Sequence, residues 1–163
     1  MKKILSILVR NRPGVLSHVA GLVTRRGYNV ESIAAGPTEN REITRITLVV
    51  KGEEPVLDQV TKQIRKLIDV IKVEPIPHEA AMTGELALIT VSFTPEKKSE
   101  IMSLIGLLGL AIKHIERDSA TVMIAGSAQS IDTAINGLSP FHIKAMARTG
   151  LVALPLLENG SPA

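Results

Sequence analysis

Asn11-Arg12-Pro13-Gly14-Val15-Leu16 separates an apolar run, Ile4 to Val9, from a periodic one, Leu16 to Val23. This order of residues indicates a strand that turns directly into a helix. The first N–H groups of a helix lack partners and lie at the positive end of its dipole, so they can bind a small carboxylate without a cationic side chain. The leading hypothesis is a sensor of a small anionic metabolite. The alternative is an ordinary Pro-Gly turn into a helix.

The segments around this junction predict one complete β-α-β-β-α-β unit, the ferredoxin-like arrangement, in residues 1–77. Gly27 is expected to end the first helix, and the turn residues Gly36 to Asn40 are expected to join two antiparallel strands. The predicted elements are strand Lys2 to Arg10, helix Leu16 to Val23, strands Tyr28 to Ala35 and Ile43 to Lys51, a helix opened by Glu53-Glu54-Pro55, and strand Ile68 to Val73.

The second half of the chain repeats this architecture without obvious sequence identity. Glu74-Pro75-Ile76-Pro77-His78 breaks regular structure, and residues 78–84 are predicted as a linker. Residues 85–154 are predicted to form the second ferredoxin-like domain, with Phe141 to Leu154 as its last strand, and residues 155–163 a loose tail. The expected elements are strand Leu86 to Phe93, a helix opened by Thr94-Pro95, strands Ala111 to Glu116 and Ala120 to Ala125, and a helix capped by Ser127. The predicted fold class is α+β.

Composition limits the classes of function. The 163 residues are 45% hydrophobic, enough for a packed core, and no apolar run approaches the roughly 20 residues that span a bilayer. We therefore expect a cytoplasmic protein without a membrane partner. The net charge is +3, but the basic residues are scattered in pairs and aromatic residues make up only 2% of the chain, which argues against nucleic-acid binding.

Catalytic and cofactor motifs are not evident in the sequence. The four histidines are far apart, there is no cysteine, and neither a nucleophile elbow nor a glycine-rich phosphate loop follows a predicted strand. We expect no catalytic residue, no metal site and no cofactor in this chain. An isolated histidine is more often structural than catalytic.

The Asn11 to Leu16 loop combines several features that suit an amino-acid ligand. The Asn11 side chain can accept from an ammonium group and donate to a carboxylate, and Gly14 permits an unusual backbone conformation or the close approach of a ligand. Val15 and Leu16 are apolar neighbours suited to an aliphatic side chain. Asn29, at the start of the next strand, is expected to face the same junction.

Three short motifs together carry a resemblance to a known family. Asn11 to Leu16, the run Arg26-Gly27-Tyr28-Asn29-Val30-Glu31-Ser32-Ile33 and Gly36-Pro37-Thr38 resemble the regulatory (small) subunit of acetolactate synthase, also called acetohydroxyacid synthase. The similarity continues through three further segments: Asp69 to Val73, Glu85 to Ile89 and Ala147-Arg148-Thr149-Gly150. Members of this family carry an N-terminal ACT domain, which the resemblance places in residues 1–77.

The resemblance implies an accessory protein that binds the catalytic large subunit, activates it and makes it sensitive to feedback inhibition by branched-chain amino acids, valine first, with leucine and isoleucine as related effectors. The catalytic partner would hold thiamine diphosphate, Mg²⁺ and FAD. ACT domains of this family form a homodimer with effector sites at its interface. The family pattern assigns effector binding to Asn11, Gly14, Val15, Leu16, Asn29 and Gly36. A stand-alone ACT regulator of another enzyme is the alternative.

One segment departs from the family pattern. Residues 101–116 are more aliphatic and less charged than expected. Their apolar side chains are predicted to belong to the core, and the alternative is that they face a dimer or the catalytic subunit.

Overall fold

A computed structural model describes residues 1–156, and residues 157–163 of the predicted tail lie outside the described residues. The chain divides into two compact units. One comprises Met1–Thr83 and the residues from Leu151 onward, and the other comprises Gly84–Gly150.

The first unit has the predicted β-α-β-β-α-β order, with an antiparallel sheet in the strand order β2-β3-β1-β4. Its core lies between the sheet and the two helices, because alternate residues of β1 and β3 point to one face. Buried helix residues such as Val19 and Val60 pack against Ile7 and Leu48 there. The elements are β1 (Lys2–Arg10), α1 (Val15–Arg25), β2 (Asn29–Pro37), β3 (Ile43–Lys51), α2 (Glu54–Ile64) and β4 (Val70–Ile76).

The second unit repeats the order, with strands arranged β6-β7-β5-β8, so the predicted α+β fold is confirmed in both halves. Ser127 caps α4 as predicted, since its Oγ accepts from the Ser130 N–H at 3.1 Å. The elements are β5 (Ala81–Ser92), α3 (Lys98–Leu107), β6 (Ala111–Ile115), β7 (Ser119–Gly126), α4 (Ala128–Gly137) and β8 (His142–Arg148), with β9 (Val152–Pro155) following.

The aliphatic segment 101–116 is divided between the core of the second unit and the surface. Ile101, Ile105 and Leu110 are buried in that core, in agreement with the core interpretation. Leu107, Ile112 and Ile115 are instead exposed, over 83%, 46% and 44% of their surfaces.

Three predictions about the chain's boundaries differ from the structure. The predicted linker 78–84 is a 3-10 turn, His78–Ala80, followed by the start of β5. β4 continues through Pro75, which an edge strand tolerates because one side of its backbone needs no ladder partner. The single last strand predicted over 141–154 is two strands, β8 and β9, separated at Gly150, where φ is +75°.

β9 belongs to the first unit, which the sequence did not reveal. Ala153 packs with Ile4 and Ile76 on the sheet face opposite the helices, and its N–H approaches the Thr47 Oγ1 at 3.4 Å. The Leu156 N–H donates to the Ala80 carbonyl at 2.8 Å. The end of the chain therefore covers part of the first sheet.

An ion-pair cluster ties together β5, β8 and α4 in the second unit. The Arg148 guanidinium donates to both carboxylate oxygens of Glu85, at 2.7 and 2.9 Å, and to the Asp132 carboxylate at 2.8 Å. Glu85 is buried. Its hydrogen bonds hold the pKa of the Arg148 guanidinium above its usual range.

We expect Arg148→Gln to lower the free energy of unfolding by about 2 kcal/mol, because Glu85 keeps a buried carboxylate without its ionic partner. The expected loss of stability is smaller than the usual cost of breaking a buried ion pair, because Arg148 is partly exposed. Urea unfolding followed by circular dichroism measures the change. The double variant Glu85→Gln/Arg148→Gln, which leaves no buried charge, should recover most of the loss. Equal destabilisation of the two variants would contradict this account.

Candidate functional site

The junction between β1 and α1 is built around a left-handed glycine. Gly14 is the N-cap of α1 with φ +85°, and no side chain caps the helix. A Cβ at Gly14 would have no heavy atom within 4 Å, so the backbone conformation requires glycine here and crowding does not. The surface in front of the helix start is therefore open.

Two backbone N–H groups at this helix start are free. The Val15 N–H approaches the Arg12 carbonyl at 3.4 Å, and the His18 N–H donates to the Gly14 carbonyl at 3.0 Å. Within residues 1–156, the N–H groups of Leu16 and Ser17 have no hydrogen-bond partner. Adjacent free amides at the positive end of a helix suit a carboxylate. Ser17 was missed in the sequence because the predicted loop ends at Leu16, whereas the N–H of the third residue of α1 also precedes the first hydrogen bond within the helix.

Asn11 is tied to the loop between β2 and β3. Its Nδ2 donates to the Arg41 carbonyl at 2.9 Å, and its backbone N–H donates to the Glu42 carbonyl at 2.7 Å. Its Oδ1 has no donor among the described residues. The side chain is thus held in place with an acceptor left over, which suits an ammonium group better than a carboxylate.

Val15 lies in the core and not on the surface beside the loop. Only 4% of its surface is exposed, and it packs in the core of the first unit with Val19 and Val23. Helical periodicity explains this, because positions 15, 19 and 23 lie on one face of α1. Leu16, with 48% of its surface exposed, is the apolar side chain next to the free amides.

Within one chain, Asn29 lies far from Asn11. The eleven residues of α1 carry the chain roughly 16 Å back from the junction. Asn29 therefore pairs with Lys51, which pairs with Lys2 at the opposite end of the sheet. The expectation that Asn29 faces the junction is wrong for a single copy of the chain.

Gly36 lies at the same end of the sheet as the junction. It pairs with Arg45, which pairs with Leu8 near the end of β1. Asn29 and Gly36 are at opposite ends of β2, roughly 23 Å apart at about 3.3 Å per residue. The predicted residues therefore fall into two groups within one chain: Asn29 alone, and the others near the junction.

In the part of the chain that the structure describes, no helix is long and apolar enough to cross a membrane. Residues 1–156 also contain no group of three or more histidine, aspartate and glutamate side chains arranged to hold a metal ion.

Comparisons with known proteins cover nearly the whole chain. Residues 5–72 match a family model described as an AHAS small subunit-like ACT domain, and residues 84–156 match one described as the small subunit of acetolactate synthase. A probable acetolactate synthase small subunit from Archaeoglobus fulgidus is 42% identical over 94% of this chain and 96% of its own. The acetolactate synthase small subunit of Bacillus subtilis is 43% identical, over 94% and 90%. The crystal structure of the Thermotoga maritima small subunit superposes with a TM-score of 0.90 at 36% identity, covering 97% of this chain and 99% of that one.

Proposed function

Because this chain belongs to the acetolactate synthase small subunit family, we propose that it binds the catalytic large subunit, activates it and makes it subject to feedback inhibition by branched-chain amino acids, valine first. The observation that carries the proposal is the order of the two family matches. An ACT domain is followed directly by the domain particular to these small subunits, over residues 5–72 and 84–156. A stand-alone amino-acid sensor requires only the first of them.

The proposal divides the work between two chains. The large subunit carries the chemistry with thiamine diphosphate, Mg²⁺ and FAD, and this chain carries regulation, in the cytoplasm. Its own histidines support that division. Within residues 1–156, His114 is the histidine that contacts a carboxylate. Its Nε2 lies 3.2 Å from the Glu116 Oε1, and both side chains are exposed.

The free groups at the junction match the parts of an α-amino acid. The free N–H groups of Leu16 and Ser17 suit a carboxylate, the Asn11 Oδ1 suits an ammonium group, and the exposed Leu16 side chain suits a branched aliphatic group. Sensing at micromolar to millimolar concentrations requires a binding free energy of only about 4 to 8 kcal/mol. Such a contact set plus one buried isopropyl group can supply this energy. One methylene changes binding by only about 1 to 3 kcal/mol, so leucine and isoleucine should compete with valine.

A homodimer through the ACT domain would complete this site. β2 is an edge strand, and Val30 and Ile33 lie opposite the core residues Val50 and Leu48. They are nevertheless 36% and 39% exposed, as expected of apolar residues that a second copy covers. Antiparallel pairing of two β2 strands about a two-fold axis places the start of one strand beside the end of the other. The second copy's Asn29 would then approach Gly36 and the Asn11 loop.

We expect Ile33→Asp to convert the dimer into monomers at micromolar concentration, because it places a carboxylate in the apolar edge that the two copies bury. Sedimentation velocity measures the change. Ile68→Asp, which adds the same charge at a residue 87% exposed and outside β2, is the control and should remain dimeric. A dimer that persists in Ile33→Asp would place the interface elsewhere.

Reconstitution with a large subunit tests the proposal as a whole. Acetolactate formation is measured for the large subunit alone, with this chain, and with this chain plus valine, leucine or isoleucine. We expect activation on adding the chain, and inhibition strongest with valine. Calorimetric binding of valine without capture or activation of any acetolactate synthase large subunit would favour the stand-alone regulator instead. Inhibition requires that valine bind one arrangement of the complex more tightly than another.

A further inference from the structure

A second concave site lies beside the effector loop and has a different chemistry. A cavity of about 460 Å³ opens where β1 ends and the β2–β3 loop turns, and its wall includes Arg10, Asn11, Arg12, Asn40, Arg41 and Glu42. Among the residues assigned to the effector, it shares only Asn11. Its volume falls within the range typical of small-ligand sites.

The walls of this cavity are hydrogen-bonded to one another. Asn11 bridges them, with its Nδ2 on the Arg41 carbonyl at 2.9 Å and its N–H on the Glu42 carbonyl at 2.7 Å. The Asn40 side chain stiffens the turn by accepting from the Glu42 N–H at 3.0 Å. The Arg10 N–H is held by the Asp69 carbonyl at 2.9 Å. The backbone that carries the three arginines is therefore preorganised, which lowers the entropic cost of binding.

The charges in this cavity are unbalanced. Arg10, Arg12 and Arg41 form no ion pair with any residue of 1–156, and this includes Glu42, the carboxylate in the cavity wall. Among the basic residues of the first unit, Lys2, Lys3 and Lys72 pair with carboxylates within residues 1–156, and none of these three lies in the cavity wall. Each guanidinium offers five N–H donors in a planar fork that fits oxyanions. The Asn40 Nδ2 is a further donor without a partner among the described residues.

We propose that this cavity binds a small oxyanion with two or more negative charges, such as a phosphoryl or polycarboxylate compound, separately from the amino-acid effector. Three arginines against one glutamate attract a polyvalent anion more strongly than a zwitterion such as valine, whose charges cancel. The cavity volume of about 460 Å³ fits a small molecule. The inference does not depend on the proposed function.

Calorimetry on the full chain at constant ionic strength tests the proposal, with pyrophosphate and citrate as probes that distinguish phosphoryl from carboxylate ligands. We expect saturable binding of at least one probe, one per chain, weakened by added salt. Arg12→Gln and Arg41→Gln should each weaken binding about tenfold through loss of charge-assisted hydrogen bonds. The control Arg117→Gln removes the same charge from an exposed turn of the second unit and should leave the affinity unchanged. Circular dichroism melting checks that the variants fold.

Three results would overturn the proposal. The first is no saturable heat with either probe up to about 10 mM, a limit that leaves no useful affinity. The second is equal weakening by Arg117→Gln and the cavity variants, which would show a response to net charge only. The third is that Arg12→Gln and Arg41→Gln leave the probes unaffected but weaken binding to the large subunit, which would assign the arginines to carboxylates of a protein partner.

Discussion

Gly14→Asp is expected to abolish valine inhibition of the reconstituted complex while largely preserving activation. The introduced carboxylate would stand at the N-cap of α1, where it competes for the free N–H groups of Leu16 and Ser17 and repels the carboxylate of the effector. Loss of a charge-assisted contact set amounts to about 3 kcal/mol, or roughly a hundredfold rise in the valine concentration needed for half inhibition. Activity measured across a valine titration gives this value.

Gly14→Ala is the matched control for this variant. Gly14 has φ +85°, so any L-residue there carries a backbone cost of about 1 to 2 kcal/mol whatever its side chain. Alanine adds that cost without a group that binds the amides or repels an anion, and valine inhibition should largely survive. If both variants lose inhibition equally, the loop geometry matters and the amides are not the carboxylate site. If Gly14→Asp remains fully inhibited, the effector lies elsewhere.

The order of elements could be predicted because hydrophobic periodicity and turn residues are local signals. Gly27 ends the first helix region with φ +67°, as its position in the sequence indicated, and Ser127 caps α4. Whether a strand continues through Pro75 depends on tertiary structure. Proline usually interrupts a strand, and only the position of β4 at the sheet edge makes it acceptable. Sequence patterns do not show which strand lies at an edge.

The candidate site was predicted in part. The loop, its left-handed glycine and the polar Asn11 follow from residue types. The burial of Val15 follows from its position on the same face of α1 as Val19 and Val23, and Leu16, the next residue, faces outward. The separation of Asn29 from the loop depended on the direction of α1 across the sheet. Grouping these residues by sequence motif combined two ends of one strand, and only a second copy of the chain would bring those ends together.

The sequence of residues 151–156 does not indicate which part of the fold these residues pack against. Residues 151–156 form a short aliphatic segment, and β9 packs on strands more than 70 residues away in sequence. A fragment of residues 1–77, the domain indicated by the sequence, therefore lacks both Ala81 and β9. Such a fragment would leave Ile4 and Ile76, which are 2% and 3% exposed in the described chain, in contact with water.

Ending the chain at Gly150 is accordingly expected to destabilise the first unit by about 4 kcal/mol, because full burial of an isoleucine side chain contributes about 1.5 to 3 kcal/mol and both Ile4 and Ile76 lose cover. The hydrogen bonds of the Ala153 and Leu156 N–H groups are lost as well. Hydrogen exchange locates the effect, with faster exchange expected in β1 and β4 than in β6 to β8. A chain ending at Leu156 retains β9 and is the matched control. Equal exchange in β1 for the two truncations would mean that β9 adds nothing to the first sheet, and that residues 1–77 suffice for a stable effector domain.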